Sequence, residues 1–206
     1  MSWVSGNRYL SQSEMENNAQ LIYSYFTAKG YSINAIAGML GNMESESGIN
    51  PGIWQNLIVG SGGGGGFGLV QWTPYTNFTN WADSNGFDWE DGYAQCQWID
   101  EQTTVTGQWI STDSYPLSWS EFKTSEESVE YLASAFLKNF ERAGVEVEAE
   151  RRSQAVAWYT FLTGVEPTPP TPPTPIINRK RKGFNFLLFN RRKRVGIYGN
   201  FQRRFW

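Results

Sequence analysis

The 206-residue chain contains no histidine and one cysteine. Without histidine, serine–histidine and cysteine–histidine nucleophilic machinery is excluded, as is every histidine-ligated metal site. The single Cys96 cannot form an intramolecular disulfide or a thiolate metal cluster, and it reads as a small core residue. No metal or other cofactor is expected. Long apolar runs are also missing, so no transmembrane segment is expected. Met1-Ser2-Trp3-Val4 has no basic region leading into an apolar run, so no Sec-type signal peptide is expected either. Acidic residues are absent from one end. Residues 176–206 hold 10 bases and no acids, whereas residues 1–175 hold 20 acids against 7 bases, a net −13. The overall charge of −3 therefore hides two physically different segments. A nucleic-acid partner is not expected, because a polyanion would be repelled over most of the larger segment. By elimination, acid–base chemistry near neutrality falls to carboxylates.

What the chain has in abundance is aromatic residues: ten Trp, ten Tyr and thirteen Phe. Such rings fill cores, and where exposed they stack on the apolar faces of sugars. Ser13-Glu14-Met15-Glu16 reads as a capping box opening a helix that Gly30 ends. Ser32 caps a second helix, with Ile33, Ile36, Ala37, Leu40 and Met43 on one face. Residues 50–68 read as loop, with the run Gly62–Gly66 as a flexible cleft rim. Residues 67–72 read as a short strand or ribbon. A helical turn is predicted around Phe78–Ala82, a helix from Asp91 or Gly92 through Ile99, and loop over 113–123. Thr124-Ser125-Glu126-Glu127 reads as a second capping box, leading into a helix buried through Val129, Leu132, Phe136, Leu137 and Phe140. A last helix covers roughly 147–163, with Ala155, Val156, Tyr159 and Leu162 inward. The fold class is α+β and mainly helical, with one small β element. Residues 1–165 form the catalytic domain. A Pro/Thr-rich linker at 166–175 follows, then a basic, aromatic tail at 176–206, read as an attachment segment.

The chain is organised around Gly41-Asn42-Met43-Glu44-Ser45-Glu46-Ser47-Gly48-Ile49-Asn50-Pro51. A helix ends here, stopped by a glycine and an Asn-Pro step. A carboxylate in its last turn lies at the negative end of the helix dipole, and burial further favours its protonated form. That environment suits a proton donor. Gly66-Phe67-Gly68-Leu69-Val70-Gln71-Trp72 follows, and the two stretches read as opposite walls of one cleft. At 100° per residue, with Ile36 at zero, the core face centres near ~35°. Glu44 then falls at ~80° and Glu46 at ~280°, so periodicity alone buries Glu44 rather than Glu46. No second carboxylate identifies itself: Asp83, Asp88, Asp100 and Glu101 are unranked candidates, and Glu141 beside Arg142 reads as a structural ion pair.

Glu46-Ser47 at a helix end, followed by Gly68-Leu69-Val70-Gln71, resembles the Glu-Ser … Gly-Leu-x-Gln signature of the lysozyme-like superfamily. Gly38 to Met43, Ile49 to Gly52, Trp54 to Leu57, Phe67 to Pro74 and Phe140-Glu141-Arg142 extend the likeness over about residues 1–163. The chain is similar to the phage tail lysozymes, and among these to the lysozyme domain of cell-wall-degrading tail-knob proteins from short-tailed phages of Gram-positive bacteria. The resemblance implies a lysozyme-type fold in a virion-associated protein that cleaves the glycan strand of bacterial peptidoglycan. It implies Glu46 as catalytic acid, by the two-carboxyl scheme of which lysozymes are the type case or with a single glutamate. Gln71, as a cleft amide, and Ser47 are expected to bind substrate, with Trp54, Phe67 and Trp72 as sugar-stacking residues. Hydrolysis and lytic transglycosylation both fit, and a lysozyme fold kept for attachment without catalysis is the rival. For the tail, the expected partners are other phage tail proteins, a further copy of the chain, or wall teichoic acid.

Overall fold

A computed structural model describes residues 1–60, 64–142, 147–165 and 167. The linker and tail, apart from Pro167, lie outside the described residues, as do Gly62 and Gly63 of the glycine run. Among the described residues seven helices appear in order: α1 (Gln12–Ala28), α2 (Ile33–Ser47), α3 (Thr76–Asn85), α4 (Gly92–Val105), α5 (Trp119–Thr124), α6 (Val129–Phe136) and α7 (Glu148–Thr163). The small β element consists of isolated bridges, Trp54 with Phe67 and Phe67 with Trp72. The fold is thus mainly helical, as the residue pattern indicates.

Helix α2 is not the one-faced amphipathic helix that the spacing of its apolar residues predicts. Every residue from Ala35 to Met43 is buried. Gly38 and Gly41 are the cause. A Cβ on Gly38 would lie 2.9 Å from the Ala133 nitrogen of α6, and one on Gly41 would lie 2.4 Å from the Arg151 carbonyl of α7. Two bare backbone positions let two helices seat directly on α2, leaving Ile36, Leu40 and Met43 for the aromatic core on its remaining side. Asn42 is buried in this junction and donates to the carbonyls of Gly38 and Ala133 at 2.8 and 2.9 Å. A buried amide must be so satisfied, because an unpaired one costs about 1–3 kcal/mol.

Helix starts follow capping chemistry, at positions that differ from two of the predicted boxes. Helix α1 is capped by Ser11, whose N–H donates to the Glu14 carboxylate at 2.8 Å. The predicted loop 113–123 overlaps α5, which is opened by a capping box of Ser118 and Glu121. Helix α6 is capped by Ser128, and not from within Thr124–Glu127. In each case several Ser and Glu residues lie within a few positions of one another, and packing selects which pair is used. Ser32 caps α2 as expected, accepting from the Ala35 N–H at 3.1 Å.

After Phe136 the helical path widens into a π turn, Leu137–Glu141, closed by the Arg142 N–H on the Leu137 carbonyl at 2.8 Å. Arg142 then turns left-handed, with φ 53°. Single π turns inserted in helices recur at functional sites, because they re-aim the side chains that follow.

Candidate active site

Helix α2 runs in regular geometry to Ser47, so the angular spacing of its last residues holds. Glu44 turns toward α7, where its carboxylate accepts from Trp158 Nε1 at 2.8 Å. Burial raises the pKa of Glu44, and the Trp158 hydrogen bond opposes that shift. Glu46 also reaches α7, through Arg151, and lines a cleft of about 430 Å³. Gly48 ends the helix left-handed, its N–H donating to the Glu44 carbonyl at 2.9 Å.

The opposite wall is the turn 66–72, and Ser47 holds it against the helix. The Ser47 hydroxyl lies 2.9 Å from both the Met43 and the Leu69 carbonyls, so one short side chain joins the helix end to the turn. Gln95 of α4 fixes the turn from beneath. It accepts from the Leu69 N–H at 2.8 Å and donates to the carbonyls of Pro51 and Trp89, both at 2.7 Å. Gly68, at φ 78°, passes so close that any Cβ there would lie 2.6 Å from Gln95 Oε1. Glycine answers both demands at once. Gln71 lines the cleft, with its Nε2 anchored on the carbonyls of Ile53 and Gly68 at 3.2 and 3.1 Å. The end of the glycine run belongs to this wall and not to a free rim. Gly65 accepts from the Tyr75 N–H, and Gly66 exchanges bonds with Gln55.

Of the residues proposed from sequence, Glu46, Gln71 and Trp72 meet at the cleft. Ser47 is a buried clip behind it. Trp54 and Phe67 lie in the core with ring centroids 4.7 Å apart, and neither lines the cleft. They support the wall by packing. Trp98, not singled out from sequence, joins Trp72 in the lining.

The second carboxyl at the cleft is Glu141. Among the sequence candidates, Asp83 accepts from Trp89, Asp100 from Tyr31 and Lys123, Glu101 from Gln97, and Asp88 from the backbone of Glu90; none lines the cleft. Glu141 does, and the ion pair with Arg142 expected from their adjacency is not formed among the described residues. The Arg142 guanidinium reaches the Gln108 carbonyl and side chain instead. Glu141 Oε1 is sealed from solvent and has no hydrogen-bond partner among the described residues. Burial holds the Glu141 carboxyl well above the usual carboxylate range. The negative charge of Glu46 pushes it the same way, and Arg151 and Arg142 pull against both.

Arg151 is the buried cation of the site, and Arg142 also lines the cleft. Arg151 is buried at 5% exposure, donates to Glu46 Oε1 at 2.6 Å, and touches Asn42 Oδ1 at 3.2 Å. The signal for it was in the chain: Arg151 lies four residues before Ala155, on the stripe of α7 that turns inward. Arg151 Nε and Gln102 Nε2 are sealed donors without a partner among the described residues, and Gln102 lines the cleft. The cleft therefore combines two carboxyls, the Arg142 side chain, four neutral amides (Gln71, Asn77, Gln102 and Gln108) and two tryptophans, with the buried Arg151 guanidinium bonded to Glu46. That set is suited to a polar, uncharged ligand with apolar faces. No group of three or more side chains that could hold a metal ion occurs among the described residues, and no helix there is long and apolar enough to cross a membrane.

A family model described as phage tail lysozyme matches residues 17–162. The chain is also 46% identical over 162 residues to morphogenesis protein 1 of Bacillus phage B103. That match takes in 79% of this chain and 44% of the relative, so the chain spans about half the length of the relative it matches.

Proposed function

Because the chain belongs to the phage tail lysozyme family, we propose that it cleaves the glycan strand of bacterial peptidoglycan and opens the cell wall when a phage particle infects its host. The observation that carries this reading is the meeting of Glu46 and Gln71 across a polar cleft walled by Trp72 and Trp98. Glu46 is the general acid that protonates the glycosidic oxygen as the anomeric C–O bond breaks. Gln71, its amide nitrogen already anchored, presents the rest of its side chain to the sugar or to the attacking water. Gln102, with an unpaired sealed amide nitrogen, supports recognition of a hydroxyl or acetamido oxygen.

Glu46→Gln keeps shape and hydrogen bonding but has no proton to give. It is expected to lower lysis of purified walls by about 10²–10⁴-fold in a protein that still folds, with some loss of melting temperature because Arg151 loses its charged partner. Full activity in that variant, with loss in Glu44→Gln, reverses the assignment. Mass spectrometry of the released glycan ends separates the two chemistries. Reducing ends mean hydrolysis, and anhydro ends mean transglycosylation at the same site. Turbidity of a wall suspension that never clears with wild-type protein leaves the attachment role as the reading.

A further inference from the structure

Four ionisable side chains line or adjoin the cleft among the described residues. Glu46 and Arg151 pair with each other at 2.6 Å. Glu141 lies in the wall, with Oε1 sealed from solvent. Arg142 is the fourth, and it is exposed at the edge of the cleft. The other described arginines, Arg8, Arg151 and Arg152, each have a carboxylate partner, in Glu14, Glu46 and Glu148. Arg142 has no such partner among the described residues, although residues 1–175 hold 20 acids against 7 bases. Its guanidinium is nonetheless held in place. Nη1 donates to the Gln108 carbonyl, and Nη2 donates to Gln108 Oε1 at 3.3 Å. The Gln108 amide nitrogen donates in turn to the Phe140 carbonyl at 2.7 Å, so one side chain ties the guanidinium back to the π turn. Both acceptors are neutral. They fix the fork and leave its charge uncompensated, with N–H groups still uncommitted on both arms and at Nε. A cation ordered in this way before any ligand arrives is a preorganised receptor for an anion.

The geometry points to Arg142 as a specificity-determining residue that binds a carboxylate carried on a substituent of the glycan strand, while the uncharged sugar ring lies against the amides and tryptophans. This rests on the reading of the cleft as a glycan-cleaving site. In peptidoglycan every second sugar bears a lactyl ether. Its carboxyl is free where the peptide stem has been removed. Where the stem remains, that carboxyl is amide-bonded and the stem brings carboxylates of its own. Either source offers a guanidinium the same planar, two-oxygen acceptor. A homopolymer of acetylated glucosamine offers neither, so Arg142 distinguishes the wall strand from an uncharged polymer with the same ring.

The test is kcat and KM for wild type, Arg142→Gln and Arg142→Lys on soluble glycan strands from one wall preparation. Two strands are used, one with stems and one stripped of them by an amidase, each also with its carboxylates capped as methylamides. Arg142→Gln should raise KM about tenfold or more on an uncapped strand, with a smaller change in kcat. Capping should raise the wild-type KM by a similar factor and shrink the gap between wild type and Arg142→Gln. Lysine keeps the charge without the fork and should recover part of the affinity. A gap confined to the strand with stems assigns the carboxylate to the stem, and a gap that persists on the stripped strand assigns it to the lactyl group. An equal loss on capped and uncapped strands overturns the proposal, because Arg142 would then act only by holding Gln108 and the π turn. A wild-type KM for Arg142→Gln on every strand overturns it too. Calorimetry with Glu46→Gln, which should hold a strand without cleaving it, separates binding from chemistry. That protein should bind uncapped strands more tightly than capped ones, and adding Arg142→Gln should abolish the difference. If it shows no such preference while wild type cleaves the strands, only the role of Arg142 falls. If wild type neither cleaves nor binds any strand, the reading of the cleft falls and this inference with it.

Discussion

The carboxyls of Glu44 and Glu46 sit two residues apart on one helix and meet opposite surroundings. Glu44 leans on Trp158 and is held by a neutral donor, whereas Glu46 enters the cleft and meets a cation. Residue spacing buries Glu44 rather than Glu46, whereas both are half-buried; only the resemblance singles out Glu46. The residue that spacing could not reveal was Glu141, because a π turn breaks the 100° rule just before it. Its burial has a consequence for stability. Below the ordinary glutamate value of about 4.3, Glu141 is neutral in both folded and unfolded chains. Above it the unfolded chain ionises freely while the folded site keeps its proton. The stability contribution of this group is thus full at low pH and is lost as pH rises toward the raised folded value. Glu141→Gln removes that loss. Thermal unfolding should show the variant gaining on wild type as pH rises from 4 toward 8, by up to about 1.4 kcal/mol per pH unit. Glu44, raised in the same direction, is present in both proteins and cancels. A difference independent of pH would place Glu141 in an ordinary solvated setting.

At the scale of elements, α2 is the axis on which the site depends. Its start at Ser32 and its stop at Gly48 were readable, since a serine cap and a glycine terminator act through local geometry. Its burial on all sides was not, because Gly38 and Gly41 look neutral in an apolar periodicity until two backbones are laid on them. The pairing of Glu46-Ser47 with Gly68 to Gln71 was expected as two walls. Its fastening by the Ser47 hydroxyl and the buried Gln95 amide depends on contacts between residues more than twenty positions apart. Local pattern holds no trace of such contacts. Gly41→Ala tests the axis. In an exposed helix this change gains about 0.5–1 kcal/mol. Here the new methyl meets the Arg151 carbonyl and the Ala155 nitrogen, so α7 must move. Overpacking of this kind costs about 1–3 kcal/mol, and a protein of this size loses about 2–4 °C per kcal/mol. Activity should fall further than stability, because the displaced helix carries Arg151. Gly64→Ala meets nothing within 4 Å and serves as the control. If Gly41→Ala matches that control in melting temperature, the close approach of α2 and α7 is not a constraint on the fold.

Across the whole molecule, charge and core are segregated along the chain. Every buried hydrophobic residue among those described lies between Ala19 and Trp158. The ten bases of 176–206 follow a proline-rich stretch that contributes none of them. A cleft lined by amides, tryptophans, two carboxyls and Arg142 does not need those bases to hold an uncharged glycan. They suit an anionic surface instead, through attraction that salt screens within about 10 Å at 0.1 M. Ending the chain after Gly164, the left-handed stop of α7, should therefore separate two properties. The shortened protein should keep its melting temperature and its rate on soluble glycan fragments. It should lose association with intact walls or virion proteins at low ionic strength, whereas the full chain should lose that association only as salt is raised. Binding that survives both truncation and high salt would mean that the cleft domain supplies the attachment. A fall in melting temperature on truncation would mean that residues beyond 164 complete the core, and the boundary drawn from the proline run would have to move.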